Sequence, residues 1–348
     1  MSGSLTIVLI LLVFIIVYQI AKASEYATIL RDEAKVNAQT NRLMAWLLVA
    51  FFVFGVWGIW ECHQALKGRL LPPSASVEGV EYDAMFEMTM WVTGIVFLAT
   101  QAVLFWFAYR YQSTEKRTAF FYPHNNKLEL IWTTIPAIAM AVLVAIGLKY
   151  WFKVTDEAPK GHATVEIVGK QFNWLIRYPG KDGVLGARDF RKINDANNVL
   201  GLDWDDTKNM DDIVAQNGEM HLVVGRPVKL IIGSRDVIHD VGLTHFRMKM
   251  DAVPGIVTTM WFTPRYTTKQ MQEITKDPDF VYEISCDQMC GKGHYSMRGT
   301  IIVETQAEYD KWLASQKSYY AESNPSAAPA APATEPAADS ANTVAKNN

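Results

Sequence analysis

The chain has 348 residues, is 50% hydrophobic and carries a net charge of −3 at pH 7. A charge so close to neutral gives no support for nucleic-acid binding. Three cysteines are too few for a fold built on disulfides, and no C-x-x-C-H run is present to attach a c-type heme.

Four apolar segments lie in the first 152 residues, at 5–20, 43–60, 88–109 and 130–152. They match or approach the ~20 residues that a helix needs to cross a bilayer. Tryptophan and tyrosine cluster towards the segment ends, where aromatic rings favour the membrane interface. The sequence therefore predicts a transmembrane helical hairpin over 85–152 and additional transmembrane segments within 1–62.

The first segment, 5–20, has a second interpretation as a cleaved signal peptide. Ala21-Lys22-Ala23 is similar to a small-residue cleavage site, but the preceding MSGS run carries no basic residue. A signal peptide normally begins with basic residues, so a retained helix is the favoured prediction.

The charges of the loops predict the orientation in the membrane. Residues 22–42 and 109–128 carry four Lys/Arg each, whereas 61–84 carry two. Because positive loops stay in the cytoplasm, the chain after Phe152 is expected outside. For a bacterial inner-membrane protein, that compartment is the periplasm.

The chain changes character at Ala163, where short runs rich in Val, Ile and aromatic residues begin. Such runs, separated by turn residues, predict an antiparallel β-sandwich over 163–316. A polar stretch, 180–215, is interpreted as a long surface insertion with a solvated acidic face, formed by Asp203, Asp205, Asp206, Asp211 and Asp212. The Ala/Pro-rich tail, 317–348, is predicted to be disordered.

The run CDQMCGKGHYSM, from Cys286 to Met297, contains metal-binding side chains at close spacing. Thiolate, thioether and imidazole form a soft ligand set, which selects copper, whereas a zinc site has no use for methionine. His239 in SRDVIHD adds a second imidazole to His294. Two cysteines, two histidines and a methionine exceed the needs of one tetrahedral ion, and they suit two coppers bridged by both thiolates.

Other interpretations of the cysteine pair were weighed. Cys286 and Cys290 alone would favour a disulfide, because the periplasm oxidises thiols. The register of His294, Met297 and His239 favours copper instead. A mononuclear blue-copper site needs only one cysteine, and copper carriers usually hold one copper behind a single anchoring helix.

Several motifs together resemble subunit II of heme–copper oxidases, in the cytochrome c oxidase branch with a dinuclear CuA centre. They are KLELIWTTIP (127–136), SRDVIHD (234–240), MKMDAVPG (248–255) and the run 286–297. The resemblance covers about residues 85–315 and implies a membrane-anchored, cupredoxin-like Greek-key β-sandwich. It implies electron entry from a c-type cytochrome and transfer to the heme of subunit I, which also holds CuB. Oxygen reduction to water, coupled to proton pumping, would take place in that subunit.

The resemblance also implies a role for each candidate ligand. Cys286 and Cys290 would bridge the two coppers, and His239 and His294 would each bind one. Met297 would be a weak ligand on one copper.

Position 288 departs from the pattern of the family. The backbone carbonyl of Gln288 would be the weak ligand on the second copper, a role that any residue can fill. The family usually has glutamate here, and its carboxylate helps to bind magnesium at the interface with subunit I. Glutamine removes a negative ligand, which puts that magnesium site in doubt.

Two further roles follow from the resemblance. Glu129, at the cytoplasmic start of the last apolar segment, would be the entrance of a proton pathway, the alternative being an ordinary helix-end carboxylate. The family's Q-W-x-W run reads Gln171-Phe172-Asn173-Trp174 here, so Phe172 replaces the electron-entry tryptophan. We expect Trp174 to carry more of the entry path than Phe172, and mitochondrial-type cytochrome c to be a poor donor. A donor domain tethered in a larger respiratory assembly is the alternative to a free cytochrome.

Two other classes share parts of this pattern. A related nitric oxide reductase also uses a CuA subunit and would differ in the metal site of its partner subunit. Subunit II of a quinol oxidase would lack the copper ligands, all of which are present here.

Overall fold

The computed structural model describes residues 3–30, 33–68, 71–113, 117 and 120–324. The N-terminal part contains four helices, α1 (Gly3–Leu30), α2 (Glu33–Leu66), α3 (Val77–Arg110) and α4 (Asn126–Thr155). Among the described residues, three stretches are long and apolar enough to cross a membrane, namely Asn37–Leu66, Val77–Arg110 and Asn126–Thr155. They contain the predicted segments 43–60, 88–109 and 130–152. Segment 5–20 lies in α1, and the side chains of residues 1–10 are outside the described part.

The chain forms two compact units, one of residues 1–72 with 83–149, and one of residues 73–82 with everything from residue 150 onward. The short segment 73–82 belongs to the second unit because hydrogen bonds fix it there. The N–H of Ala75 donates to the carbonyl of His245 at 2.7 Å. The buried carboxylate of Glu78 accepts the N–H of Thr263 at 2.8 Å. The start of α3 is therefore part of the β-domain.

The β-domain consists of ten strands in two five-stranded sheets. The strands are β1 (Ala163–Lys170), β2 (Asn173–Tyr178), β3 (Ile213–Ala215), β4 (Glu219–Val223), β5 (Val228–Ser234), β6 (His239–Leu243), β7 (Met248–Ala252), β8 (Thr258–Phe262), β9 (Tyr282–Cys286) and β10 (Arg298–Glu304). One sheet has the order β3-β2-β1-β5-β8 and the other the order β4-β10-β9-β6-β7.

The predicted sandwich is present and most of its strand pairs are antiparallel, but two pairs are parallel, which the prediction did not include. β1 runs parallel to β5, and β4 runs parallel to β10. Each pair joins strands that are far apart in sequence, so the chain must cross between the sheets before it returns. Local sequence patterns carry no information on such pairings.

Alternation of buried and exposed residues along the strands creates the core. In β10 the pattern alternates over most of the strand, so that Gly299, Ile301 and Val303 face inward. Fully buried aromatic side chains, among them Phe262 and Tyr282, fill the space between the sheets. Burial of each such ring contributes roughly 1.5–3 kcal/mol, which makes this packing the main source of a rigid domain.

The insertion 180–215 is folded onto the domain and is not simply a surface loop. It contains two short 3-10 helices, Phe190–Lys192 and Thr207–Asn209, and ends in β3. A second hydrophobic cluster forms where Val199, Leu200 and Leu202 pack with residues of β1 and β2. The short apolar run VLGL (199–202) inside the polar stretch was the sequence signal for this cluster.

A buried ion network also fixes the insertion. The guanidinium of Arg177 on β2 donates to Glu166 at 2.9 Å and to Asp212 at 2.9 Å from Nε. Its remaining nitrogen donates to the side chain of Asn209 at 2.6 Å. All four side chains are buried. Because buried charges must be paired, this cluster ties the C-terminal end of the insertion to the sheet.

The acidic face predicted for the insertion needs correction, because each of its five carboxylates has a partner. Asp203 and Asp205 pair with Lys192, and Asp206 accepts backbone N–H groups. Asp211 accepts the N–H of Asp182, and Asp212 is the buried partner of Arg177. Asp212 is therefore buried and not part of a solvated face, and Lys192 offsets part of the charge of Asp203 and Asp205, whereas Asp206 and Asp211 have only backbone N–H partners in these contacts.

The C-terminal segment contains three further helices, α5 (Thr268–Thr275), α6 (Gln306–Ser315) and α7 (Tyr319–Ser323). Residues 319–323 were assigned to the disordered tail, and this assignment is wrong. The buried Tyr319 accepts the N–H of Val199 through its hydroxyl at 2.9 Å, and its ring packs against Trp204. An aromatic pair thus attaches α7 to the insertion. The rest of the predicted tail, 325–348, lies outside the described residues.

Candidate metal centre

His239 is the first residue of β6 and is completely buried. Its ring lies against Gly169 of β1, where a Cβ atom would come within 2.6 Å of the imidazole. Only glycine leaves room for the ring at this position. The Nε2–H group donates to the carboxylate of Asp236 at 2.8 Å, which leaves Nδ1 as the free donor atom. Nδ1 lies 3.8 Å from the sulfur of Cys286.

Cys286 and Cys290 are buried and lie at the end of β9 and in the loop that follows it. Their sulfur atoms are 3.6 Å apart. A disulfide bond would require about 2.05 Å, so the two thiols are free in the structure. The disulfide interpretation is therefore wrong for this structure, and both sulfurs are available as ligands.

The second imidazole lies at the other sulfur. Nδ1 of His294, in the 3-10 turn His294–Ser296, is 3.7 Å from the sulfur of Cys290. The thioether of Met297 is 3.8 Å from the same sulfur. The backbone carbonyl of Gln288 is 3.2 Å from the sulfur of Cys286. The donor set is thus symmetric, with one imidazole and one weak donor beside each thiol.

This arrangement fits a pair of soft metal ions. The donor atoms of His239, Cys286 and Cys290 lie within 4.8 Å of one another, close enough to share one ion. The two imidazoles approach different sulfurs, which leaves His294 and Met297 for a second ion beside Cys290. Two thiolates, two imidazoles and a thioether are the ligands that copper prefers. The residues brought together are those that the sequence singled out.

Burial affects the protonation of the Cys290 thiol. Burial, together with the neighbouring thiol of Cys286, raises the pKa of Cys290 to about 11. The Cys290 thiol therefore keeps its proton at neutral pH until a metal ion displaces it. Metal binding should release a proton here, and the affinity should rise with pH.

Asp236 is a supporting residue that sequence reasoning did not single out. Burial alone raises its pKa, but the N–H groups of Gln171, His239 and Val237 outweigh this effect and hold the pKa below its usual range. Asp236 therefore stays ionised and orients the His239 ring. The D-x-x-H spacing within SRDVIHD was the available signal.

The two aromatic residues predicted for electron entry differ in burial. Trp174 is completely buried, and its ring meets the His239 ring edge-on with centroids 6.0 Å apart. Phe172 is 40% exposed. Its ring lies so close to Gly293 that a Cβ atom there would come within 2.5 Å of it. Of these two rings, only Phe172 can contact a docked partner directly.

Two predicted residues lie away from the donor set. Glu129 is in the first turn of α4, and its carboxylate accepts the N–H of Asn125 at 3.3 Å, as a helix-end carboxylate would. The side chain of Gln288 is exposed and accepts the N–H of Met289 at 3.1 Å, so only its carbonyl points to the thiols.

Comparison with known proteins places both units in one family. The transmembrane domain of cytochrome c oxidase subunit II matches residues 63–150, and its periplasmic domain matches residues 163–306. The alternative cytochrome c oxidase subunit 2 of Bradyrhizobium diazoefficiens is 38% identical over 237 residues, covering 68% of this chain and 80% of the relative. Cytochrome c oxidase subunit 2 of Thermostichus vulcanus is 26% identical over 289 residues, covering 77% and 84%.

Among solved structures, the periplasmic domain of subunit II of cytochrome oxidase from Bradyrhizobium japonicum is similar, with 26% identity and a TM-score of 0.31. It covers 45% of this chain and 95% of that chain. The two family matches and the 38% identical relative, together with the apolar helices and the β-domain, decide the assignment. The chain belongs to the cytochrome c oxidase subunit II family.

Proposed function

We propose that this chain is the electron-entry subunit of a terminal respiratory oxidase and holds a dinuclear CuA centre. The observation that carries the proposal is the donor set, in which each of two unbonded thiols has its own imidazole and its own weak donor. A single metal site would not need this duplication.

The protein's own residues would keep the ligands still during electron transfer. The two thiolates, the two imidazoles and the thioether would hold two copper ions, which would supply one-electron transfer. His239 is fixed by its hydrogen bond to Asp236 and by close packing of its ring against Gly169. Cys286 is the last residue of β9, so the sheet holds it in place. A buried, sheet-supported site changes little in shape, and burial also excludes water from the donors.

The proposed partners follow from membership of the family. Electrons would come from a c-type cytochrome, free or tethered in a larger respiratory assembly, and would pass to the heme of a subunit I that also holds CuB. The reduction of oxygen to water and the coupled proton pumping would belong to that partner. The β-domain is proposed to lie in the periplasm and the helices in the bacterial inner membrane, and the charges of the loops support this orientation.

The order of electron transfer in the purified oxidase complex tests this function. Rapid mixing with a reduced c-type cytochrome should reduce the copper absorbance of this chain first and the heme afterwards. In a complex whose copper site is removed by mutation, heme reduction by the donor should stop. Heme reduction at the native rate in that variant would show that electrons enter elsewhere.

Magnesium at the interface with subunit I is a weaker expectation. The Gln288 side chain is neutral and hydrogen-bonds its own backbone region. We therefore propose that any magnesium there depends on ligands from the partner, and that metal analysis of the complex finds it below full occupancy.

Glu129 is proposed as the entrance of a proton pathway. Glu129→Ala should slow turnover of the assembled oxidase severalfold while leaving copper reduction by the donor unchanged, since the residue belongs to the membrane unit and to none of the copper ligands. Steady-state oxygen consumption and stopped-flow copper reduction measure the two effects. Glu87→Ala, a second acidic residue of the membrane unit, serves as the control. Unchanged oxygen consumption in Glu129→Ala would leave this residue with the role of a helix-end carboxylate.

The entry path is proposed to run through Phe172 at the surface and Trp174 behind it. Trp174→Leu should slow copper reduction more than Phe172→Leu, because the Trp174 ring lies next to the His239 ring. Stopped-flow reduction with the native donor compares the two, after copper content and thermal unfolding have shown that both variants are folded and loaded. Undiminished rates in both variants would place entry at another surface.

A further inference from the structure

Gln171 lies in the turn between β1 and β2, at a junction of two loops that carry candidate copper ligands. The residue is at the surface, and a polar side chain in a tight turn is usually just solvated. Here, however, both its main chain and its side chain form hydrogen bonds to these loops. The donor set has two halves, His239 with Cys286 and Cys290 with His294 and Met297. Gln171 therefore contacts the loops that support both halves.

The first hydrogen bond connects Gln171 with His239 through the carboxylate of Asp236. The main-chain N–H of Gln171 donates to Oδ2 of Asp236 at 2.7 Å. The other carboxylate oxygen, Oδ1, accepts the Nε2–H of His239 at 2.8 Å. The position of the Gln171 backbone thus fixes the carboxylate that orients the first imidazole.

The second bond leads to Cys290. The side-chain Nε2 of Gln171 donates to the Cys290 carbonyl at 2.7 Å, across 119 residues of sequence. The sulfur of Cys290 is the one that contacts both His294 and Met297. The amide group therefore fixes the backbone of the residue at the centre of the second half.

Close packing keeps the amide against this loop. A Cβ atom at Gly291 would lie 3.0 Å from Nε2 of Gln171 and 3.1 Å from the Phe172 ring. The loop between Cys286 and His294 belongs to no strand, so contacts from outside determine its shape. Gln171 and Phe172 supply such contacts from one side.

We propose that Gln171 is a positioning residue that sets the separation of the two ligand-bearing halves of the metal centre. The inference rests on the proposed dinuclear copper function. Gln171 touches no copper ligand atom. It acts through Asp236 on one half and through the Cys290 carbonyl on the other. With the amide removed, the halves can move relative to each other, and the shared electron should become unequally distributed.

The test uses the full-length chain in detergent, loaded with copper, and two substitutions of similar size. Gln171→Met removes the amide donor but keeps the backbone N–H bond to Asp236. Gln171→Glu places a carboxylate against the Cys290 carbonyl and should have the larger effect. We expect both copper ions to be retained at saturation, with affinity about tenfold lower in Gln171→Met. The electron paramagnetic resonance hyperfine pattern should change from equal towards unequal sharing.

Asn173→Ala is the matched control, because Asn173 begins β2 directly after this turn and its side chain donates to the Gln216 carbonyl at 2.6 Å, away from the metal loop. It should leave the copper affinity and the hyperfine pattern as in the native chain. A second readout needs no metal: hydrogen exchange at the His294 and Ser296 amides of the apo chain should be about fivefold faster in Gln171→Met.

The outcomes separate this inference from the proposed function. If the native chain failed to take up two copper ions, the dinuclear function itself would be wrong. If the native chain bound two ions and Gln171→Met kept the native affinity, hyperfine pattern and exchange rates, the function would stand and the positioning role would be excluded. Equal changes in Asn173→Ala and Gln171→Met would also exclude it, since they would point to a general effect on the turn.

Discussion

Cys286→Ser and Cys290→Ser are each expected to abolish the dinuclear centre and, with it, electron entry into the assembled oxidase. The two sulfurs are 3.6 Å apart, and a different imidazole lies beside each of them, so a centre that holds two metal ions needs both thiolates. A serine hydroxyl is a hard, weakly acidic ligand and cannot replace a soft thiolate at copper. Copper analysis and electron paramagnetic resonance of the purified chain measure the loss, and donor-driven oxygen consumption should fall to background.

Two variants provide controls for the cysteine prediction. Cys62→Ser changes the exposed cysteine in α2 and should leave copper content and activity as in the native chain. Met297→Leu should keep copper but shift the reduction potential and slow transfer, because a weak thioether tunes the site more than it holds the metal. The ligand assignment would be wrong if Met297→Leu lost all copper while a cysteine variant kept the native spectrum.

Arg177→Met is expected to have the largest effect on folding stability. The side chain is 1% exposed and bonds to Glu166, Asp212 and Asn209. Methionine fills similar space but leaves the buried Asp212 without its cationic partner, while Glu166 keeps only its pair with Arg188 at 3.0 Å. Removal of one partner of a buried ion pair typically costs about 3–5 kcal/mol. Chemical denaturation of the β-domain within the full chain, followed by tryptophan fluorescence, measures the loss. The insertion should become sensitive to proteolysis at the same time.

The loss of stability should depend on pH. Burial raises the pKa of Asp212 to about 6, against the opposing effect of the Arg177 guanidinium. Since the folded state holds this proton more tightly than the unfolded state, the contribution of Asp212 to stability is present at low pH and is lost as pH rises towards 6. A protonated Asp212 tolerates the missing arginine, so Arg177→Met should be less destabilising at about pH 5 than at about pH 8.

Arg191→Met provides the comparison, because Arg191 forms an ion pair with Asp189 while its side chain is 76% exposed. Exposed pairs contribute about 0–1 kcal/mol, so this variant should unfold almost as the native chain does. Equal stability of the Arg177→Met and Arg191→Met variants would mean that the buried network does not fix the insertion.

Much of the candidate site could be predicted from local spacing. The run from Cys286 to Met297 contains four of the five side-chain donors, so their close spacing in sequence was enough to identify them. His239 lies 47 residues before Cys286, yet the chemistry of the ligand set was enough to identify it. The apolar segments were equally clear, because membrane spans are recognised by length and hydropathy alone.

The remaining features depend on contacts between distant parts of the chain. The parallel pairing of β1 with β5 joins residues more than 60 positions apart, and no local pattern encodes it. The composition of the insertion predicts a solvated loop because the sequence shows its charges, whereas the pairing of these charges with Arg177 and Lys192 is a property of the fold. Gln171 could not be singled out for the same reason.

The most direct test of a dinuclear copper centre is to measure the metal content and the electron paramagnetic resonance spectrum of the same purified, full-length sample. The donor set predicts two copper ions per chain and, in the singly reduced state, hyperfine splitting from an electron shared by both copper nuclei. One copper ion per chain with splitting from a single nucleus, or zinc at full occupancy, would contradict the assignment of Cys286 and Cys290 as bridging ligands.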